Sequence, residues 1–474
     1  MDNTLHRKYG LFTTICMVVG IVIGSGVFFK AQTILEKTGG NMPMGILAWL
    51  IGGAIMLVCL LSFAFMGQKY ERVNGLVDYA EATVSSRYGY YVGWFSATIY
   101  FPAMTSVLAW VSARYTLVFI TEAFPGLPMT VSGPLGCLVG PECMVLTLIY
   151  LCGSYFINTI SPKLAGKFQT STTVIKLIPL ALMAAGGVIA GLISGILPSN
   201  FNSVTDESVI STGSTLKSPL FTAVCSTAFA YEGWIIATSI NAEIKDSKKN
   251  LPRALIIGGI IIAAVYVSYY IGVAGGASIP ELIDKGATIA FTNLFGNFLG
   301  NVLNLFIAIS CLGTLNGLML GCSRCMYAIA VRGEGPAPEV YSQVDSKTNM
   351  PTNSSAFALL ITAAWFLYFY VTNLYLPITA GVEGKAFMFD SSELPIITIY
   401  LMYLPILINW MRRERSLSVL RRFILPGLAI AGSLFMIVAC IFSHRMGCLW
   451  YLIVFAAVML LGKLADRSKK QKAS

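Results

Sequence analysis

Two short runs in this 474-residue chain place small and acidic residues where an apolar helix is normally most regular. In the first, GIVIGSGVFF at 20–29, Gly20, Gly24, Ser25 and Gly26 fall in the middle of a hydrophobic segment. Each glycine costs a helix interior about 1 kcal/mol relative to alanine. The second, FAYEGW at 229–234, puts Glu232 and Gly233 inside another apolar segment. The chemistry open to such breaks is recognition of charge by backbone. Unwinding exposes N–H groups at the start of the following half-helix, around Ser25, Gly26 and Val27, where the helix dipole adds partial positive charge. A carboxylate fits there without a basic side chain. The preceding half-helix ends in free carbonyls near Gly20 and Ile21, which suit an ammonium. Phe229, Ala230 and Tyr231 offer the same pair of ends. An α-amino acid carries both groups on one carbon, so its backbone matches the arrangement. A helix-packing face of the small-xxx-small kind accounts for Gly20 and Gly24, but not for GSG followed by a second break.

The elements that must hold these breaks are membrane-spanning helices. Apolar residues make up 56% of the chain and charged residues 11%, with mean hydropathy +0.73, against roughly 25% charged in soluble domains. Twelve apolar segments are long enough to cross a bilayer, at about 11–35, 43–67, 90–121, 142–161, 168–194, 219–241, 253–278, 290–330, 352–372, 386–411, 423–442 and 446–464. The third and eighth run longer than one crossing and are expected to tilt or extend beyond it. No removable signal peptide is read at MDNTLHRKYG. Unpaired backbone in hydrocarbon costs several kcal/mol per group, so breaks survive only against protein or a water-filled cavity. Interrupted helices in corresponding halves point to the binding site of a secondary transporter. Segments one to five and six to ten each begin with a broken helix, and an odd number of spans per repeat inverts the second against the first. The expected fold is therefore all-α, with a five-plus-five inverted repeat (about 11–194 and 219–411) and two further helices (about 423–464). The whole of 1–474 forms one transmembrane domain.

Lysine and arginine set the orientation. Arg7, Lys8, Lys69, Arg72, Lys163, Lys245, Arg332, Arg412 and the 463–472 tail lie on one side, against only Lys217, Lys285, Lys385 and Arg445 on the other. Both termini are expected in the cytoplasm and the protein in the cell membrane. The net charge of +10 is thus a topology signal, not a nucleic-acid footprint. No cofactor or metal motif and no nucleophile–base set appear among two histidines and scattered acids, which argues against an enzyme. Cys137 and Cys143, in the loop between the third and fourth segments, are left open: free thiols, a pair, or a link to a partner subunit. Arg114 is expected to reach an interface. Asp390 and Glu393 precede Leu394-Pro395 at the start of the tenth segment and read either as an outer loop end or as part of the site. Lys176, within an apolar stretch of the fifth segment, either snorkels to the inner interface or is retained for function.

GIVIGSGVFF resembles the first-helix signature of the amino acid–polyamine–organocation superfamily, and FAYEGW the sixth-helix signature of its L-type amino acid transporter branch. GTLNGLMLGCSRCMYAIAVRGEGP at 313–336 is similar to the eighth helix and following loop of that branch. The three motifs lie in the family's order, and the similarity in organisation covers nearly the whole chain. The resemblance implies sodium-independent exchange of small or medium neutral L-amino acids by alternating access. It assigns the substrate carboxylate to the backbone of Ser25, Gly26 and Val27, and the amine to carbonyls of Ile21, Phe229 and Ala230, with Phe229 as an aromatic lid. It also places the Lys176 amine at a former ion position, received by the Gly20 carbonyl and a hydroxyl of Ser310 or Thr314. Glu232 departs from the small residue common in the branch, which keeps a cationic amino acid or polyamine substrate as the alternative. A sensor without turnover is a second alternative, for which the chain offers no long cytoplasmic extension.

Overall fold

The computed structural model describes residues 6–70, 74–131, 133–202, 219–382 and 384–466. The expectations resting on Arg72, Lys217 and the tail beyond Asp466, and on the side chain of Phe229, lie outside what is described. Among the described residues there are helices and no strand; the one bridge is a parallel pairing of Tyr9 with Ile244. The elements are α1 (Leu11–Val22), α2 (Gly26–Lys37), α3 (Met42–Lys69), α4 (Ser86–Ala123), α5 (Leu135–Ile160), α6 (Pro162–Ser194), α7 (Pro219–Tyr231), α8 (Ser247–Ala274), α9 (Asn297–Ala330), α10 (Thr352–Ala380), α11 (Leu394–Arg413), α12 (Leu425–His444) and α13 (Met446–Ala465). Among the described residues ten helices are long and apolar enough to span a bilayer, and eleven if the bent pair α1–α2 counts as one.

Several boundaries differ from the hydropathy reading, each for a local reason. The long eighth segment is two helices, because Gly296 at φ +85° separates Ala287–Phe295 from α9. The third segment stays one helix, but a π-turn at Ser96–Tyr100 adds a residue to its winding; such turns re-aim side chains and recur at functional sites. The tenth starts only at Leu394, after a turn in which Asp390 Oδ1 accepts from the backbone N–H groups of Ser392 and Glu393.

The core runs along α9, buried on nearly every side from Leu303 to Ala330. Outward faces of α6, α10 and α13 carry exposed Val174, Ile178, Leu367 and Leu461, an apolar perimeter suited to lipid. At the end holding the N-terminus, polar ties are dense. Glu243 is fully buried; its carboxylate accepts from Arg324 Nε at 2.7 Å, and its carbonyl accepts the backbone N–H groups of Lys8 and Tyr9. This gives the serine–arginine pair of the third motif a structural partner. Nearby, Lys69 pairs with Glu414, whose Oε1 also accepts from Tyr70 Oη at 2.6 Å. Burial alone would raise the Glu414 carboxyl, yet Lys69 and Tyr70 hold it below the usual carboxylate range. At the opposite end, Glu393 ties α2 to α11 through Lys30 at 3.0 Å.

Candidate functional site

The break between α1 and α2 spans Ile23, Gly24 and Ser25 and bends the helix pair by 46°. Ser25 is the N-cap of α2, but its hydroxyl does not cap it, which leaves the first amides of that helix to meet a ligand. Gly26 is where the two broken helices touch: a Cβ there would stand 2.8 Å from Ala230 Cα. The second break follows Tyr231, passes through Glu232 and turns at Gly233, whose φ of +104° only glycine adopts readily. A 3-10 helix, Trp234–Glu243, continues from it.

Between the breaks lies a small cavity. Ile21, Ser25, Gly26, Glu232 and Thr314 line it, with Met104, Leu108 and Ile236 as its apolar wall. Of the residues expected to meet substrate, Val27 and Ala230 are buried beside the cavity without lining it. The Ala230 carbonyl accepts from Tyr266 Oη at 2.9 Å, and the same hydroxyl reaches the Val22 carbonyl at 3.0 Å. One α8 tyrosine therefore bridges the two breaks.

Lys176 does not snorkel. Its side chain is fully buried, and its ammonium donates to the carbonyls of Gly20 at 2.8 Å, Ile23 at 2.6 Å and Ser310 at 2.9 Å. The expected partners need one correction. Ser310 receives the amine through its carbonyl, because its hydroxyl is turned to the carbonyls of Ile23 and Gly24. Thr314 lies at 3.5 Å from the amine, and its hydroxyl donates to Gly20 O at 3.1 Å. The Gly20 carbonyl is therefore already engaged and is no longer a free end for a ligand's ammonium. α6 supplies Lys176, α1 and α9 supply the oxygens, and the three helices are joined at the break.

Glu232 is 4% exposed and accepts from Tyr100 Oη at 2.5 Å. Tyr100 arrives from the π-turn of α4, and Tyr400 of α11 is buried nearby. Sequence reasoning missed Tyr100, Tyr266 and Tyr400, whose roles depend on contacts across more than thirty positions. The other open residues resolve differently. Asp390 and Glu393 stand outside the cavity, and Glu393 accepts from Lys30 and meets His444 Nε2 at 3.0 Å. Cys137 and Cys143 are both buried free thiols and form no pair with each other. Arg114 packs over the rings of Trp110 and Tyr115.

Comparison with known proteins follows the same lines. A profile of the family described as amino acid permease matches residues 9–462. The serine/threonine exchanger SteT of Bacillus subtilis (strain 168) is 29% identical over 457 residues, covering 94% of each chain. The human cystine/glutamate transporter is 27% identical, over 73% of this chain and 65% of its own. The human Asc-type amino acid transporter 1 is 24% identical, over 78% of this chain and 68% of its own.

Proposed function

The chain belongs to the amino acid permease family, and we propose that it exchanges small or medium neutral L-α-amino acids across the cell membrane, without sodium, by alternating access. One observation carries this reading. Two interrupted helices face one cavity whose wall is mainly apolar apart from Glu232 and Thr314, so backbone ends are available for the constant part of an amino acid and the wall for its variable part. The amides of Ser25, Gly26 and Val27 take the carboxylate, and the carbonyls of Ile21, Phe229 and Ala230 take the ammonium. Exchange of a small substrate is supported by similarity to a relative named a serine/threonine exchanger. Sodium independence is supported by the Lys176 ammonium, which sits among oxygens that would otherwise suit a hard cation. We read the architecture as twelve spans in a five-plus-five inverted repeat with two further helices, in one domain with both termini cytoplasmic. The bent pair and the short α7 with its 3-10 extension serve as the first and sixth spans.

Competition in proteoliposomes tests the recognition scheme. Alanine and serine are expected to compete with labelled substrate, and their methyl esters and decarboxylated amines to lose that competition by tenfold or more. Equal inhibition by the decarboxylated amines would favour a polyamine substrate. Counterflow of labelled amino acid separates a carrier from a sensor, which would bind substrate and show none.

Glu232 favours a second reading, since a carboxylate in the cavity wall could attract a cationic side chain. We expect neutral selectivity to prevail, because Tyr100 already satisfies one oxygen and the backbone ends complete the binding set without the acid. Wild-type uptake of alanine is expected to exceed that of arginine, with Glu232→Gln keeping this order. Arginine uptake above alanine in wild type, and lost in Glu232→Gln, would make the cationic reading correct.

A further inference from the structure

Away from the cavity, at the end of the bundle opposite the N-terminus, three metal-type donors converge from two helices. Asp390 and Glu393 precede α11, and His444 is the last residue of α12. One ligand atom from each can be chosen so that all three lie within 4.8 Å of one another, and all three side chains are half-buried. Glu393 Oε2 and His444 Nε2 stand 3.0 Å apart. In a tetrahedral zinc site with bonds of about 2.0–2.2 Å, neighbouring ligand atoms are separated by about 3.4 Å. The Glu393–His444 spacing needs only a small opening to admit the ion, and the three donor atoms together lie within 4.8 Å.

We propose that Asp390, Glu393 and His444 form a binding site for a divalent transition-metal ion of the zinc type. The local structure prepares the donors. Asp390 Oδ1 is held by the backbone N–H of Ser392 at 2.7 Å and by that of Glu393 at 3.1 Å, which orients its second oxygen without using it. Glu393 Oε1 accepts from Lys30 at 3.0 Å, which fixes the carboxylate while Oε2 faces His444. The imidazole gives the set its selectivity: calcium and magnesium take oxygen ligands, whereas one imidazole and two carboxylates suit zinc. Glu393 and Cys440 also line one small pocket beside the donors. Cys440 lies one helical turn before His444 on the same face of α12, so a softer fourth donor is within a turn of the site. Without an ion, the same groups form an ion-pair network with Lys30, and the experiment must separate the two states.

An ion here would join the start of α11 to the end of α12 while Glu393 remains tied to Lys30 of α2. It would therefore staple three elements together at this end of the bundle. Calorimetric titration of the purified full-length protein with zinc is the direct test. One saturable site of micromolar affinity is expected, weakened at least tenfold by Asp390→Asn and by His444→Gln, which keeps a side-chain amide near Glu393 but is a poor ligand. Substituting cobalt(II) should give the intense visible absorption of a tetrahedral site in wild type and lose it in both variants. His6→Ala, which removes the only other histidine, should leave binding unchanged. In proteoliposomes, zinc should slow wild-type uptake several-fold and have a much smaller effect on His444→Gln. The proposal is overturned by the absence of saturable zinc binding, by affinity unchanged in Asp390→Asn and His444→Gln, or by binding that disappears with His6→Ala.

Discussion

Lys176→Ala is expected to cut uptake by tenfold or more, while wild-type uptake proceeds equally in sodium and in choline media. The ammonium is the shared donor for carbonyls on α1 and α9, and it reaches them from α6. Removing it leaves buried acceptors short of donors, at about 1–3 kcal/mol for each one left unsatisfied. Other hydroxyls soften this loss, since Thr314 still donates to Gly20 O and Ser310 Oγ to Ile23 O. Stability is therefore expected to fall less than transport does. The larger effect is on the balance of states, because an amine that joins three helices in one arrangement cannot bind them equally well after α1 has moved. Uptake and thermal stability measured on the same preparation distinguish a broken carrier from an unfolded one. Normal exchange by a folded Lys176→Ala would remove the coupling role, and wild-type uptake that stops in choline would remove sodium independence.

Gly26→Ala is expected to reduce substrate-induced thermal stabilisation and uptake to background. The added methyl would meet Ala230 at 2.8 Å from its Cα and 3.2 Å from its Cβ, and a backbone atom cannot swing aside as a side-chain tip can. Overpacking of this kind costs about 1–3 kcal/mol, and here relief requires separating the two breaks whose spacing defines the cavity. Gly153→Ala is the matched control. It lies in α5 with nothing within 4 Å of the added methyl, and alanine is favoured over glycine in a helix by about 1 kcal/mol. That variant should transport normally and melt no lower than wild type. Retention of full uptake by Gly26→Ala would show that α2 and α7 are free to part at this contact.

The breaks were legible in the chain because glycine and serine in the centre of an apolar run have few structural uses. Their limits fell where the residue types placed them, at Val22 and Gly26 and around Gly233. The burial of Lys176 was half legible. A lysine in hydrocarbon demands acceptors, but hydropathy cannot tell whether those are water at an interface or carbonyls of a broken helix. Its partners were foreseen as to helix and misjudged as to atom at Ser310, since a serine's hydroxyl and its carbonyl look alike in a sequence. The tyrosines stayed hidden for a different reason. Tyr100, Tyr266 and Tyr400 sit in apolar helices where an aromatic residue is unremarked, and only the fold shows that the hydroxyls of Tyr100 and Tyr266 end on Glu232 and on the carbonyls of Val22 and Ala230. Likewise Lys30 and Glu393 are 363 positions apart, beyond any spacing rule. The helix end at Gly296 escaped the hydropathy reading because apolar residues resume on both sides of the glycine, and the start at Leu394 because an apolar run at 386–389 lies just beyond the polar turn at 390–393.

Tyr266 has a consequence best put as proton stoichiometry. Its hydroxyl owns one hydrogen and stands within reach of two carbonyls, those of Val22 and Ala230. The Val22 carbonyl also takes the backbone N–H of Gly24 at 2.8 Å, so the tyrosine's hydrogen can rest on Ala230 without leaving the first break bare. Each carbonyl oxygen still carries a second lone pair. An ammonium brings three hydrogens and no lone pair, so it is a guest that these oxygens can share with Tyr266, whereas an ester oxygen has no hydrogen to offer them.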